Sequence, residues 1–142
     1  MREIKFRGKC SHCDAWAYGS LVDYGEDELP EIHGFDPFVE GDDRWREITV
    51  DRDTVGQFPG LQDKKGVDIY DGDILHVEFA DGSGGYHLVG WNDKTISWGI
   101  MDAYSYQAQK EGYDFAEFKN YVLLAFLRDA LIFEVAGNIY DN

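Results

Sequence analysis

Basic residues are scarce in this 142-residue sequence, which holds 13 Lys and Arg against 28 Asp and Glu. The formal net charge is −15 and the pI is about 4.4. Counterion release from a phosphate backbone requires clustered Lys and Arg side chains. Direct binding of nucleic acid is therefore not expected.

Long apolar runs and cysteines are also few. No uninterrupted apolar stretch approaches the ~18 residues that cross a bilayer, and Met1–Arg7 alternates charged and apolar residues, unlike the apolar core of a signal peptide. Two cysteines do not make a disulfide scaffold, so a reducing cytoplasm is the expected compartment. The sequence thus predicts a cytoplasmic protein without a membrane partner.

Aromatic residues, by contrast, are abundant. The 9 Phe, 9 Tyr and 4 Trp make up 15% of the chain, and hydrophobic residues make up 44%. Disordered chains are poor in these residue types, so this chain is expected to fold despite its charge. Its length fits a single domain over residues 1–142.

The negative charge is unevenly distributed. Residues 1–9 contain four basic residues and one acidic residue, residues 10–51 contain two basic and twelve acidic residues, and residues 52–142 contain seven and fifteen. Within the acidic segment 23–47 the density peaks at residues 23–31 and 40–43, where Pro and Gly also occur. Two interpretations stay open: a solvated loop between strands, or an acidic docking surface for a basic partner.

Alternating apolar and polar residues predict mostly short strands. Residues 3–7 and 15–22 are predicted to form a hairpin, and Asp71-Gly72 is predicted to turn a second hairpin from Val67–Tyr70 into Ile74–Phe79. Turns are expected at Phe58–Leu61, where Pro precedes Gly, and at Asp63–Gly66. The other predicted strands are Arg46–Val50, Tyr86–Trp91, Thr95–Met101 and Leu131–Val135.

One helix is predicted near the C-terminus. Asp114 and Glu117 fit a capping box, and apolar residues follow at helical spacing from Phe115 to Leu127. The predicted fold is mainly β within the α+β class. A small bent barrel is favoured over a flat sheet, because closure removes exposed strand edges.

Several sequence blocks, in order along residues 2–140, resemble the YopX family. The blocks are Arg2–Lys9, Trp16–Gly19, Thr54–Phe58, Gly60-Leu61, Asp63-Lys64, Gly66, Ile69-Tyr70, Gly72–Ile74 and Glu134–Tyr140. The resemblance implies a protein of a bacteriophage or prophage, acting in the bacterial host cell. It also implies a strand-rich fold with an SH3-like barrel, so that residues 1–50 form an N-terminal hairpin extension and residues 51–142 the barrel core with the inserted helix. It implies no chemistry.

Two departures from the family pattern are visible. Pro59 stands where the family usually has Thr, and the tail that often follows the closing motif is missing. The glycines of the motifs are interpreted as turn residues, and Thr54 and Asp73 as hydrogen-bonding residues at strand ends. The alternative is that Thr54–Gln57 and the Asp63–Asp73 turn form a polar edge that holds a partner.

Cys10 and Cys13 are the weak metal candidates. The spacing Cys10-Ser11-His12-Cys13 matches one half of a zinc knuckle, but no second Cys or His pair follows. A zinc site would require the fold to bring His33, His76 or His87 close to the two cysteines. Free thiols are therefore expected, and no cofactor is predicted. The loop Asp81–Gly85 lacks the Gly-Lys-Ser/Thr ending of a phosphate-binding loop.

No nucleophile motif or distinct carboxylate pair is visible, so an enzyme is not expected. The sequence predicts an accessory protein that binds an unknown host or phage protein through its acidic surface, alone or as a homo-oligomer. The alternatives are a DNA mimic that inhibits a nucleic-acid-binding host protein, and a zinc-binding module using Cys10 and Cys13. The candidate partner-binding residues are Trp45, Trp98, Tyr104 and Tyr106.

Overall fold

The strands of the described residues form two antiparallel sheets. The computed structural model describes residues 3–35, 45–92, 97–102, 121–122 and 127–141. The chain divides into two compact units, Met1–Gly60 and Leu61–Asn142. The prediction of a mainly β protein is confirmed.

The first unit is a five-stranded sheet with one short 3₁₀ turn at Arg52–Thr54. Its strands are β1 (Phe6–Lys9), β2 (Trp16–Val22), β3 (Glu31–Phe35), β4 (Trp45–Thr49) and β5 (Gly56–Gln57). They lie in the order β4-β3-β2-β1-β5. The predicted first hairpin is confirmed, since β1 pairs with β2 from Phe6 opposite Gly19 to Lys9 opposite Trp16.

The register of β3 and β4 separates an apolar face from a polar face. Ile32 lies opposite Ile48, and both belong to the core around Ala17 and Val50. Side chains alternate between the faces of a sheet. Glu31, His33 and Glu47 therefore share the face that points away from this core.

The second unit contains the other five strands. They are β6 (Asp73–Phe79), β7 (Gly84–Asn92), β8 (Ser97–Asp102), β9 (Tyr121–Val122) and β10 (Ala130–Asn138), in the order β10-β6-β7-β8-β9. Leu75 and Val77 of β6 are fully buried with Val89 of β7 and Ile100 of β8, and Phe79 packs against this cluster. The predicted inward face of β6 is confirmed.

The predicted hairpin through Asp71-Gly72 is wrong, although its turn is present. The amide of Asp73 donates to Tyr70 O at 3.0 Å, which closes the turn. The backbone of Val67–Ile69, however, bonds with Leu61–Asp63: the Asp63 amide donates to Val67 O, and the Ile69 amide donates to Leu61 O. Both edges of β6 are occupied by the longer strands β7 and β10, which also bury apolar side chains.

The expectation of a closed barrel is also wrong for the described residues. In neither sheet does the first strand pair with the last. Two of the four sheet edges, β5 and β9, are only two residues long, and β10 carries two register irregularities. Short and irregular edge strands limit unwanted pairing without closure, so these sheets need no barrel to protect their edges.

The helix predicted from Asp114 to Leu127 falls mainly outside the described residues. Where the structure describes that segment, Tyr121–Val122 is strand β9, paired with Gly99 and Ile100 of β8, and Leu127 and Arg128 are helical. Pairing with a neighbouring strand overrides helical spacing at these two residues. In the described part of the chain, no helix is long and apolar enough to cross a membrane.

Candidate functional site

The connection between β2 and β3, residues 23–30, is an ordered and exposed loop that we call the acidic loop. A single side chain from the 3₁₀ turn holds it: Arg52 Nη1 lies 3.1 Å from both Oδ1 and Oδ2 of Asp23. Nη2 of the same guanidinium donates to Gly25 O at 2.6 Å and to Glu28 O at 2.7 Å. The planar fork of Arg suits this several-fold contact.

Asp23 also organises the loop from within. Its Oδ1 accepts a hydrogen bond from the Gly25 amide at 3.0 Å. That bond and the contact with Arg52 hold the pKa of the Asp23 carboxyl below its usual range. Asp23 is thus anionic at neutral pH, and its charge stabilises the loop through Gly25 and Arg52.

The remaining carboxylates of the acidic loop face solvent. Glu26, Asp27 and Glu28 are all exposed. The same loop presents two large side chains with apolar surface, Tyr24 at 52% exposure and Leu29 at 48%. Aromatic and apolar side chains inside a charged rim are the usual composition of a protein-binding patch.

A second group of polar side chains lies beside the acidic loop on β3 and β4. The donor atoms of Glu31, His33 and Glu47 all lie within 4.8 Å of one another. The Tyr24 hydroxyl donates a hydrogen bond to Glu31 Oε1. This bond, burial and the negative charges of Glu31, Glu47 and Glu28 raise the pKa of Tyr24.

Cys10 and Cys13 form a disulfide in this structure, so the prediction of free thiols is wrong here. The hairpin of β1 and β2 brings the two residues to its tip, and two nearby thiols can oxidise to a local bridge. The donor atoms of Cys10, His12 and Cys13 form one group. The histidine nearest the sulfurs is therefore His12 from the motif itself, whereas His33 lies with Glu31 and Glu47.

Two of the four candidate partner-binding aromatic residues lie among the described residues, one in each unit. Trp98 of β8 packs against the core of the second unit, and its indole ring meets the ring of Trp91 edge-on at 5.4 Å. Trp45 is the first residue of β4, where it pairs with Phe35. Tyr104 and Tyr106 lie outside the described residues.

The second unit contains a small cavity of about 180 Å³. It is lined by Leu61, Gln62, Lys64, Leu127, Arg128 and Phe133. Pockets for drug-sized ligands are larger, about 300–1,000 Å³. We therefore do not take this cavity as the candidate site.

Several residues of the family-like blocks have structural roles. The Thr54 hydroxyl accepts from the Lys9 amide at 2.8 Å and donates to Asp51 O at 2.6 Å, and Asp73 Oδ2 accepts from the Tyr70 amide at 2.8 Å. The predicted local hydrogen bonds of Thr54 and Asp73 are confirmed. Gly60 has a φ of +101°, as the predicted turn requires, whereas Gly56 lies in β5 opposite Arg7.

Asp63 is more important structurally than its sequence block indicates. It is 6% exposed, and its carboxylate accepts from the amides of Lys65 and Val67 at 2.9 Å and of Val135 at 3.0 Å. Burial alone would raise the pKa of Asp63, but these three hydrogen bonds together hold it below its usual value. The side chain therefore ties the Asp63–Gly66 turn to β10.

Sequence reasoning missed Arg52, Tyr24 and the group formed by Glu31, His33 and Glu47. The Glu31-Ile32-His33 alternation was a signal for two polar side chains on one strand face. Nothing in the sequence indicated that Glu47 lies opposite His33, because register between strands depends on the whole sheet. The contact of Arg52 with Asp23 spans 29 residues and had no local signal either.

The described structure is that of a strand-rich protein with two antiparallel sheets and an ordered acidic loop. The chain belongs to the YopX family: the family model described as YopX protein matches residues 5–142. No curated protein matches the chain. The family resemblance noted in the sequence is thus confirmed over nearly the whole chain.

Proposed function

We propose that this protein is a phage- or prophage-encoded accessory protein whose acidic loop binds a Lys- and Arg-rich segment of a host or phage protein in the bacterial cytoplasm. The function is binding, not catalysis. The observation that carries the proposal is the contact of Arg52 with Asp23, Gly25 and Glu28, which joins three residues of the loop to the 3₁₀ turn.

An ordered loop favours binding for an energetic reason. A mobile loop loses conformational entropy when a partner fixes it, and this cost reduces the affinity. Because Arg52 already orders the loop in the free protein, less conformational entropy is lost when the partner binds. Glu26, Asp27 and Glu28 then offer charge to a basic segment, and Tyr24 and Leu29 offer apolar contact area.

A homo-oligomer is expected to use another surface. Two copies of a chain with a net charge of −15 repel each other when their acidic loops face. Leu131 and Ile132 on the edge strand β10 are 59% and 42% exposed and offer apolar area in the second unit. Light scattering at several protein concentrations reports whether copies associate.

The test of the proposal is capture of a partner at low and high salt. The immobilised protein is compared with a triple variant of the loop, Glu26→Gln/Asp27→Asn/Glu28→Gln, in lysate of infected or lysogenic cells. A matched control, Glu78→Gln/Asp129→Asn/Asp141→Asn, removes three exposed charges from the second unit. The proposal expects an identified basic protein that the loop variant loses and the control retains. Equal capture by all three proteins contradicts it.

DNA mimicry is the alternative role for the same loop. It rests on the three consecutive exposed acidic residues Glu26, Asp27 and Glu28, whose carboxylates would stand in for phosphates. Competition with duplex DNA separates the two roles. A partner that DNA displaces in a salt-dependent manner favours mimicry, and a partner that DNA does not displace favours the protein-binding module.

A zinc-binding module is a separate proposal that rests on the grouping of Cys10, His12 and Cys13. Reduction of the disulfide in a reducing cytoplasm yields two thiols, and their thiolates are strong zinc ligands. Metal analysis of the reduced protein tests this role. Stoichiometric zinc that is lost in Cys13→Ser supports it, and zinc-free reduced protein contradicts it.

A further inference from the structure

We propose that Glu31, His33 and Glu47 form a binding site for a first-row divalent metal ion such as Zn²⁺. The site lies on β3 and β4 and goes beyond the proposed function of the acidic loop. It also differs from the Cys10–Cys13 pair, because its donors are one imidazole nitrogen and carboxylate oxygens.

The strands place the three donors together. His33 lies directly opposite Glu47 in the β3–β4 register, and Glu31 lies two residues from His33 on the same face. The donor atoms are within 4.8 Å of one another, and His33 Nε2 is 3.6 Å from Glu31 Oε1. Bonds of about 2.0–2.2 Å to one zinc ion separate its donors by at most roughly 4.4 Å. The donor atoms must therefore move closer to share one ion, and of the three side chains that of Glu47 is the exposed one.

The state of His33 Nε2 is the second observation that favours a bound metal ion. The atom is shielded from solvent, and it has no hydrogen-bond partner among the described residues. Its 3.6 Å distance to Glu31 is too long for a hydrogen bond. A shielded and unpaired nitrogen costs stability, and the Nε2 lone pair of a neutral imidazole is an ordinary metal ligand. Coordination would satisfy this atom.

Tyr24 supports the site from outside. Its hydroxyl donates to Glu31 Oε1, which fixes the orientation of that carboxylate. Metal-binding carboxylates and imidazoles are commonly held by such outer hydrogen bonds. The nearby charge of Glu28 adds to a negative potential that attracts cations.

The donor set selects the class of metal. Imidazole with carboxylates suits Zn²⁺, Mn²⁺, Co²⁺ and Ni²⁺, whereas Mg²⁺ and Ca²⁺ prefer sites made only of oxygen donors. Three protein ligands leave a fourth position of a zinc ion open to water or to a partner's side chain. The site is therefore expected to bind Zn²⁺ in preference to Mg²⁺.

The experiment is titration calorimetry of the tag-free protein with ZnCl₂ without reductant, so that the Cys10–Cys13 disulfide is retained. The site variants are His33→Gln and Glu47→Gln. The matched controls are His12→Gln, which removes an exposed imidazole, and Asp129→Asn, which removes an exposed carboxylate of the second unit. We expect one zinc ion per chain, a loss of affinity of at least about tenfold in each site variant, and a change within about twofold in each control.

A second measurement uses the wild-type protein alone, so that a variant that fails to fold cannot affect it. The His33 ring signals in the NMR spectrum are expected to shift on addition of Zn²⁺ and to stay unchanged on addition of Mg²⁺. Absence of stoichiometric zinc binding, or equal affinity in the wild type and both site variants, overturns the proposal. Neither result tests the proposed function of the acidic loop. The triple loop variant changes other residues and retains Glu31, His33 and Glu47.

Discussion

Arg52 and Asp23, the first residue of the acidic loop, form an ion pair in which Nη1 lies 3.1 Å from both carboxylate oxygens. The second guanidinium nitrogen binds Gly25 O and Glu28 O. One side chain thus contacts the loop at three residues. The most acidic segment of the chain is thus held by one of the seven Lys and Arg residues of the first unit.

Replacement of Arg52 is expected to loosen the loop more than it destabilises the protein. Exposed ion pairs add little to the free energy of unfolding, so Arg52→Ala should change the unfolding midpoint only slightly. Amide hydrogen exchange in residues 23–29 should accelerate, because the carbonyls of Gly25 and Glu28 lose their donor. Arg52→Lys should give the same acceleration, since an ammonium group lacks the fork geometry. Unchanged exchange in both variants would show that the loop is held in another way.

Asp63 is expected to be a determinant of stability in the second unit. Hydrogen bonds to a charged group contribute about 1.5–3 kcal/mol, and three amides converge on this buried carboxylate. Asp63→Asn should lower the free energy of unfolding by at least about 2 kcal/mol in urea titrations at pH 7. The control Asp81→Asn alters an exposed carboxylate that also accepts local hydrogen bonds, and its effect should be much smaller.

The same carboxylate predicts a dependence of stability on acid. The folded-state pKa of Asp63 is lowered, so its contribution to stability is complete above the unfolded-state value of about 3.9 and disappears as the pH falls through the folded-state pKa. The free energy of unfolding should therefore fall below about pH 4, and this fall should be smaller in Asp63→Asn. An identical acid profile in both proteins would argue against a charged Asp63.

Thr54 joins β1 to the 3₁₀ turn through its hydroxyl. Thr54→Val keeps the shape of the side chain but leaves the Lys9 amide and the Asp51 carbonyl without this partner. We expect a loss of about 1–3 kcal/mol in the free energy of unfolding. Thr54→Ser retains the hydroxyl and should recover most of it. Wild-type stability in Thr54→Val would contradict a stabilising role of the hydroxyl.

Gly72 has two reasons to be glycine. Its φ is +91°, and a Cβ atom there would lie 2.7 Å from Cε2 of Tyr140. Gly66 has a similar φ of +83° but open space around the Cβ position. Gly66→Ala should cost about 1–2 kcal/mol from backbone strain alone, and Gly72→Ala should cost clearly more. Thermal unfolding of both variants checks the difference, and equal shifts would mean that Tyr140 moves away without cost.

Local features of the fold could be predicted from the sequence. The β1–β2 hairpin, the turns at Gly60 and Gly72 and the buried face of β6 follow from alternation and turn chemistry, which act over a few residues. The pairing of β6 and the open sheet edges could not be predicted, because they depend on competition between strands far apart in the chain. At Tyr121–Val122, pairing with β8 also outweighed helical spacing.

In the candidate site, too, local features could be predicted and contacts between distant segments could not. The density of carboxylates between residues 23 and 31 was visible in the sequence. The ion pair of Arg52 with Asp23 and the position of Glu47 opposite His33 join distant segments, and single-sequence patterns do not reveal such contacts. The exposed Tyr24 and Leu29 became candidates only when the loop conformation placed them at the surface.

The most direct test of the account is the affinity of the captured partner for three proteins, measured across a salt titration. These are the wild type, Glu26→Gln/Asp27→Asn/Glu28→Gln, and the control Glu78→Gln/Asp129→Asn/Asp141→Asn. We expect the loop variant to bind at least about tenfold more weakly at low salt and to lose most of the salt dependence, while the control retains wild-type affinity. Equal affinities and salt slopes in all three proteins would contradict a function of the acidic loop in binding.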